Sequence, residues 1–242
     1  MLTPQARLSQ LELERRHESV KHKMKEHGLE VLLISGVRFV ASAGYLRYLS
    51  NWAEPFAGES LVFPLEGEPI FCARTGERAY LVENLLGLKT VTGSTASTVA
   101  QLLRETGLKR IGICGLSSMF ASFFVQLTQQ LPDVKLEDAS ELLDEVRMVK
   151  SEEELGWIKK SARLVDLAYE MFSNLAEEGE SESNVFVEIE HMVKRLGAEN
   201  TYFMMSADPR PVPKFIDLAF DRYERGDLVL FNAEIAGRAG YY

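Results

Sequence analysis

Two polar residues, Asn232 and Glu234, interrupt an apolar and strand-like run near the end of the chain. Side chains alternate between the two faces of a strand. One face therefore carries both polar residues together with Leu228 and Leu230, and the other carries Val229, Phe231, Ala233 and Ile235. An amide and a carboxylate that continue an apolar face need hydrogen-bond partners or water. The residues alone leave open whether these side chains meet partners or lie at an exposed strand end.

Other residue types that do chemistry are sparse or scattered. The proline-stiffened segment Asp208–Lys214 carries Arg210 and Lys214, which form either a rim that binds a substrate carboxylate or part of a plain rigid loop. Three of the four histidines fall on the first predicted helix and one on a later helix, so we expect solvent-facing or helix-surface positions and no acid–base role for His17, His22, His27 and His191.

The two cysteines, Cys72 and Cys114, lie far apart inside apolar segments. No Cys-x-x-Cys pair or Cys/His cluster with zinc spacing occurs, so we expect both to be buried thiols that pack like small apolar side chains.

Composition limits the class of protein. The chain has 242 residues, of which 46% are hydrophobic, and this is enough for two domains with full cores. A net charge of −9 makes nucleic acid a poor partner. No apolar run reaches the roughly 20 residues that span a bilayer, and the start of the chain does not resemble a signal peptide. We therefore expect a cytoplasmic protein that does not bind membranes.

The first 150 residues alternate between predicted strands and helices. A helix over Pro4–His27 ends at Gly28, Leu29–Ser35 and Arg110–Cys114 read as central strands, and Leu61–Phe63 with Ile70–Ala73 forms a hairpin. Shorter elements complete the pattern: helices over Glu77–Leu86, Ala96–Thr106, Met119–Leu131 and Ala139–Val146, and strands over Thr90–Thr92 and Val134–Leu136. This alternation predicts an α/β domain with a largely parallel or mixed sheet.

The pattern changes at Ser151, which with Glu154 forms the capping box of a long helix. The helix is predicted to run from Glu152 to Glu178, with an apolar stripe formed by Leu155, Ile158, Ala162, Val165, Ala168, Phe172 and Leu175. A second helix over Glu182–Leu196 follows, and then strands over Tyr202–Ser206, Asp227–Ile235 and the beginning of a third at Gly240–Tyr242. Helices grouped before strands predict an α+β domain, with the boundary near residue 150.

Four segments, in order, resemble the creatinase and Xaa-Pro peptidase family of "pita-bread" hydrolases. They are MKEHGLEVLLISGVRFVASAGYL (Met24–Leu46), EGEPIF (Glu66–Phe71), LLDEVRMVKSEEEL (Leu142–Leu155) and GDLVLFNAEIAGRAGYY (Gly226–Tyr242). The resemblance implies a creatinase-type N-terminal α/β domain with a mixed sheet over residues 1–150. It implies that residues 151–242 are the first part of an incomplete α+β pita-bread catalytic domain.

The resemblance also bears on the candidate site. In metal-dependent members two aspartates, one histidine and two glutamates hold two metals, and the first aspartate corresponds to Asn232, a neutral and much poorer bridging ligand. The second aspartate would follow Tyr242. In the family this strand face opens onto the cleft, so the resemblance makes Asn232 and Glu234 candidate substrate-binding residues. It implies no metal site within this chain; Mn, Co or Zn would bind only if later residues supplied ligands.

An asparagine at this point is more similar to creatinase, which uses a histidine without metal. That histidine would lie near Lys214 and Phe215, where this chain has none, so no catalytic residue is assigned. The expected function is hydrolysis of a C–N bond in a small amide, amidine or Xaa-Pro dipeptide, without metal. The alternatives are a non-catalytic binding protein on the same fold and a metal-dependent Xaa-Pro dipeptidase completed beyond residue 242.

The final residues are apolar and strand-like, without a polar tail. The chain is therefore either a fragment of a longer enzyme or a truncated relative that must dimerise, and we expect the fragment, whose native protein would exceed 27.3 kDa in intact mass. Because an open apolar sheet edge favours pairing with another chain, we also expect a homodimer.

Overall fold

The computed structural model describes residues 8–35, 43–53, 58–107, 109–208 and 221–241. It divides into two compact units, Leu8–Lys150 and a unit that begins at Ser151. Within the described ranges, no helix combines the length and the apolar character needed to cross a lipid bilayer.

The first unit is a mixed six-stranded sheet with helices on both faces, as predicted. Its strand order is β4-β3-β2-β1-β5-β6, in which β2 runs antiparallel to β1 and to β3 and every other pair is parallel. The elements are α1 (Gln10–His27), β1 (Val31–Ser35), α2 (Ala43–Ser50), β2 (Ser60–Pro64), β3 (Ile70–Ala73), α3 (Gly76–Leu86), β4 (Lys89–Thr92), α4 (Ala96–Thr106), β5 (Arg110–Cys114), α5 (Ala121–Gln130), β6 (Lys135–Asp138) and α6 (Ser140–Met148).

Alternation along the central strands creates two cores, one on each face of the sheet. Leu32 and Ile34 face the side covered by α1, α2, α3 and α6, and Val31 and Leu33 face the side covered by α4 and α5. Because helices cover both faces, β1 is apolar and buried from Val31 to Ile34 rather than alternating with polar residues. Cys72 and Cys114 are buried free thiols, as predicted, and burial raises the pKa of Cys72 to about 12.

Three predictions for this unit were wrong. Helix α1 begins at Gln10 rather than Pro4, because Ser9 is extended and its hydroxyl accepts a hydrogen bond from the Glu12 amide, 3.1 Å away. Residues before Leu8 lie outside the described part of the chain. Helix α2 occupies Ala43–Ser50, where no helix was predicted. His17 is half-buried rather than solvent-facing: its Nε2 lies 2.8 Å from the Leu49 carbonyl oxygen.

The second unit packs two helices against one face of a two-stranded antiparallel sheet. Its elements are α7 (Glu152–Leu175), α8 (Glu182–Arg195), β7 (Asn200–Asp208) and β8 (Leu228–Ala236). The capping box is present: the Ser151 hydroxyl accepts from the Glu154 amide, and the Glu154 carboxylate accepts from the Ser151 amide. Helices before strands give the predicted α+β arrangement.

Three details of this unit differ from the predictions. Helix α7 ends at Leu175, three residues early, because the Ala176 backbone (ψ 66°) leaves the helical range. On its apolar stripe Ala162 is exposed, and Ser161 is buried in its place. At the predicted start of a third strand, Gly240 belongs to a 3-10 turn over Arg238–Gly240, in which Ala239 is left-handed (φ 70°) and the Gly237 amide bonds back to the Tyr241 carbonyl, whereas Tyr241 is extended. Tyr242 lies outside the described residues.

Candidate functional site

The register between β7 and β8 places the candidate residues opposite two large side chains. Asn232 pairs with Met204, and Glu234 pairs with Tyr202. Paired residues in an antiparallel sheet point to the same side, with Cβ atoms about 5 Å apart. We call this side the open face; it comprises Tyr202, Met204, Ser206, Leu228, Leu230, Asn232 and Glu234. The predicted alternation of β8 is therefore present.

The opposite side of the sheet packs on α7 and α8 and fixes the position of β8. Phe231 stacks on Phe172, with ring centroids 4.4 Å apart and an interplanar angle of 14°, and Phe203 approaches Phe231 to 5.7 Å. The Tyr169 hydroxyl donates to the Phe231 carbonyl oxygen at 3.0 Å. The backbone immediately before Asn232 is thus held by a stacked ring and by a hydrogen bond.

The open face combines polar and apolar groups. Glu234 is exposed, Asn232 is half-buried, and Tyr202 keeps 46% of its surface in contact with solvent. Within the part of the chain that the structure describes, neither the Asn232 amide nor the Glu234 carboxylate makes a hydrogen bond or an ion pair. The pair therefore offers one anionic acceptor and one neutral group that both donates and accepts, beside an aromatic ring. That these residues bind substrate remains a prediction.

The Glu182 carboxylate accepts hydrogen bonds from the backbone on both sides of the segment that joins β7 to residue 221. This carboxylate is 2% exposed and accepts from the Ala207 amide at 2.7 Å and from the Asp221 amide at 3.3 Å. Burial raises the pKa of Glu182, and the two amide hydrogen bonds oppose that rise. Arg210 and Lys214, the predicted rim residues, lie outside the described residues.

Tyr223 is a second buried polar residue that sequence reasoning missed. Its ring is 3% exposed and packs edge-on to Phe172, and its hydroxyl has no hydrogen-bond partner among the described residues. Burial, followed by the nearby charges of Glu182 and Glu180, raises the pKa of Tyr223 to about 12. The hydroxyl is therefore held neutral at every physiological pH.

The turn after β8 is anchored to α7. The Ser161 hydroxyl lies 3.1 Å from the Gly237 amide and 2.5 Å from the Tyr241 carbonyl oxygen, and the Tyr241 hydroxyl donates to the Glu154 carboxylate at 2.7 Å. These contacts join residues about 80 positions apart in sequence. The only sequence signal for them was a serine beside the predicted apolar stripe.

Residues able to hold a metal are not brought together in the described ranges, where no three His, Cys, Asp or Glu side chains form a cluster suited to a cation. His22, His27 and His191 are exposed, as expected. The partly buried His17 has a pKa lowered chiefly by burial and lies far along the chain from the open face, in the first unit.

Comparison with known proteins identifies the first unit. The Creatinase/Prolidase N-terminal domain family matches residues 16–149, more than half of the chain. The chain belongs to this family. Among curated relatives of this Creatinase/Prolidase chain, an uncharacterized peptidase, YqhT, from Bacillus subtilis is 27% identical over 113 residues, which is 47% of this chain and 32% of that protein. A Xaa-Pro dipeptidase from Pyrococcus horikoshii is 27% identical over 128 residues, which is 52% of this chain and 36% of that protein.

Solved structures extend the similarity beyond the N-terminal domain. A prolidase from Pyrococcus horikoshii covers 92% of this chain with a TM-score of 0.78 and 19% identity. Aminopeptidase P from E. coli, solved with the inhibitor Pro-Leu, covers 96% with a TM-score of 0.74 and 17% identity. These matches show that the Creatinase/Prolidase chain shares the pita-bread fold of those proteins. It spans 61% and 60% of their lengths, and about a third of the curated relatives.

Proposed function

We propose that the protein is a hydrolase that cleaves a C–N bond in a small amide, amidine or Xaa-Pro dipeptide without a resident metal. Membership of the Creatinase/Prolidase family supports the reaction class, and the relatives named as Xaa-Pro dipeptidase and prolidase support the substrate class. We further propose that residues 1–150 are the N-terminal domain and that residues 151–242 begin the catalytic domain.

The observation that carries the proposal is the placement of Asn232 and Glu234 side by side on the open face of β8. Both project from a strand whose other face is locked by Phe231, so their spacing is rigid. A carboxylate binds the N–H groups of an amide or amidine, and an asparagine amide both donates to a carbonyl and accepts from an N–H. We propose these two residues as substrate-binding groups.

The metal-free part of the proposal rests on donor chemistry. A bridging ligand between two divalent cations must be anionic to offset their mutual repulsion, and Asn232 supplies only a neutral carbonyl oxygen. The residues of this chain therefore do not fit a two-metal centre that uses position 232, and we route no step through a metal.

The proposal is tested on the full-length native protein. Metal content is measured by mass spectrometry, and turnover is assayed with Xaa-Pro dipeptides and with creatine. The expected results are turnover of at least one substrate and no stoichiometric Mn, Co or Zn. Glu234→Gln should raise KM about tenfold or more, because a hydrogen bond to a charged group contributes roughly 1.5–3 kcal/mol.

The matched control is Glu188→Gln, which removes a charge from an exposed position on α8. Its kinetics should equal those of the native protein. Stoichiometric bound metal would contradict the metal-free mechanism and favour the metal-dependent Xaa-Pro dipeptidase.

A second candidate function is a non-catalytic binding protein on the same fold. The neutral side chain at position 232 favours it, since loss of a metal-bridging anion is what an inactive relative would show. Ligand binding that depends on Glu234, without turnover of any substrate in the panel, would support this candidate and contradict the hydrolase.

We also propose a cytoplasmic homodimer. Exposed apolar side chains on the second unit away from the open face, including Val187 at 59% and Leu196 at 53%, support association with another chain. Light scattering that reports a monomer at micromolar concentration would contradict this proposal.

A further inference from the structure

Three departures from local sequence rules meet at one place, the end of β8. Ser161 is fully buried on α7, although the apolar stripe predicted that its neighbour Ala162 would be the buried residue. Ala239 takes a left-handed backbone conformation (φ 70°) that favours glycine. Glu154, a carboxylate, is 1% exposed. Buried polar groups and left-handed non-glycine residues cost free energy, so their convergence indicates a constraint on this turn.

The contacts show what is constrained. One hydroxyl, that of Ser161, accepts from the Gly237 amide at 3.1 Å and donates to the Tyr241 carbonyl at 2.5 Å, with the Trp157 carbonyl at 3.2 Å as its other acceptor. The Glu154 carboxylate accepts from the Tyr241 hydroxyl at 2.7 Å and from the Ser151 amide at 2.7 Å. The turn is thus tied to α7 at its first and its last residue.

A third hydrogen bond holds the middle of the turn. The Ala239 amide donates to the Glu199 carboxylate at 3.2 Å, just before β7 begins. The turn is therefore held from α7 on one side and from the start of β7 on the other. A side chain at Gly237 would displace the Ser161 hydroxyl, because a Cβ there would lie 2.5 Å from its oxygen.

The end of β8 therefore does not behave as a free strand end. Glu234 lies three residues before Gly237, and strand ends without such ties fray. We propose that Ser161 and Glu154 are positioning residues for the open face: by locking the Gly237–Tyr241 turn to α7, they fix the backbone of β8 from which Asn232 and Glu234 project. This inference rests on the proposed function of those two residues, and it adds a role for α7 that no family resemblance assigned.

The first test measures how firmly the Gly237–Tyr241 turn is held to α7, and it needs no substrate. Hydrogen exchange is followed in the full-length native protein, in Ser161→Ala and in the control Ser173→Ala, which removes an exposed hydroxyl from the same helix. Loss of one buried hydrogen-bonding group should speed exchange at Gly237 and across Glu234–Ala236 about five- to tenfold. Ser173→Ala should leave these amides unchanged. Unchanged exchange in Ser161→Ala would overturn the proposal.

Tyr241→Phe provides a milder second variant, because it removes only a hydroxyl from a partly exposed side chain. It should speed exchange at Tyr241 and Gly237 if the bond to Glu154 holds the turn. Because this variant leaves the buried helix face untouched, it keeps the test decisive should Ser161→Ala fail to fold.

The second test uses the substrate that the native protein turns over. Displacing substrate-binding groups by a fraction of an ångström lowers turnover, so Ser161→Ala and Tyr241→Phe should lower kcat/KM about tenfold at a temperature where both variants remain folded. Faster exchange with unchanged kcat/KM would make the lock purely structural and overturn the positioning role.

If the native protein turns over nothing, the proposed function fails by itself. The lock is then judged on the Asn232 side-chain amide resonances, which should shift in both variants and stay fixed in Ser173→Ala. Resonances that stay fixed in all three would overturn the inference.

Discussion

Gly237→Ala is the substitution that most sharply tests the contact between α7 and the turn after β8. The backbone at Gly237 (φ −72°, ψ −171°) is one that alanine adopts without strain, so any effect must come from the added methyl group. That methyl would lie 2.5 Å from the Ser161 Oγ and 3.5 Å from the Ser161 Cα. A helix backbone cannot retreat easily, so the Ser161 hydroxyl must move and lose its hydrogen bonds to the turn.

The expected cost follows from two terms. Overpacking a buried site costs about 1–3 kcal/mol, and each net hydrogen bond lost costs about 1 kcal/mol. We therefore expect Gly237→Ala to lower the free energy of unfolding by about 2–4 kcal/mol. Gly156→Ala is the matched control: its new methyl, on α7, meets no atom of the described residues within 4 Å beyond its own stretch of helix, and removing a helical glycine should raise stability by about 0.5–1 kcal/mol.

Urea unfolding followed by tryptophan fluorescence measures both changes, since Trp157 lies on α7. A double-mutant cycle adds a stricter criterion. Ser161→Ala removes the clashing oxygen, and the remaining Ser161 Cβ would lie 3.5 Å from the new methyl, an ordinary contact. The pair Ser161→Ala/Gly237→Ala should therefore cost about 1–2 kcal/mol less than the sum of the single changes. Additive costs, or a Gly237→Ala variant as stable as Gly156→Ala, would show that the close approach is absent.

Three other substitutions probe buried polar groups by chemical unfolding. Tyr223→Phe should leave stability unchanged or raise it by up to about 1 kcal/mol, because the hydroxyl it removes has no partner among the described residues; a loss above 1 kcal/mol would mean that the hydroxyl is bonded. Glu182→Ala should cost about 2–4 kcal/mol by leaving two amides without an acceptor, whereas the exposed Glu188→Ala should cost less than 0.5 kcal/mol. Burial lowers the pKa of His17 below its ordinary value of 6.5. As the pH falls below 6.5, the unfolded chain therefore binds a proton at this residue more readily than the folded chain does, and the free energy of unfolding decreases. His17→Gln should flatten that acid slope in unfolding titrations between pH 7 and 5, and an unchanged slope would assign it to other groups.

Sequence reasoning located elements well wherever local signals agreed. Helix α4 and strand β5 have the predicted bounds, because the Thr95 cap and the left-handed Gly107 fix both ends of α4. The β2–β3 hairpin followed from two apolar runs around a Gly-Pro turn. In each case the residues that define the element lie within the element or next to it.

The elements that were missed or misplaced depend on tertiary contacts. Helix α2 is eight residues long, too short to be stable alone, and forms because Tyr45, Leu46 and Leu49 are buried in the core. Strand β6 lies one to two residues later than predicted, because its register is set by pairing with β5, where Arg110 opposes Lys135. Such positions depend on partners that are distant in the chain, so no local pattern predicts them.

For the candidate site, too, one part could be predicted from local sequence and the other part depended on contacts that are distant in the chain. The alternation of β8 was readable from sequence and put Asn232 beside Glu234. Their cross-strand neighbours Met204 and Tyr202 required the β7–β8 register, which depends on which faces of both strands become buried. A prediction of the register from the buried set Phe203, Met205, Phe231 and Ile235 would have supplied those neighbours.

Ser161, and not its neighbour Ala162, lies on the buried face of α7, and its contacts explain why a polar residue is buried there. Hydrophobic burial of an alanine methyl contributes about 1 kcal/mol, whereas each net hydrogen bond contributes about 0.5–1.5 kcal/mol. The Ser161 hydroxyl adds one hydrogen bond with the Gly237 amide and one with the Tyr241 carbonyl, which also bond to each other, so the helix places the hydroxyl inside and leaves Ala162 exposed. The apolar stripe therefore fails as a guide where the facing chain offers backbone groups that bond to a buried hydroxyl. On α7 that place is the end of the strand that carries the candidate site.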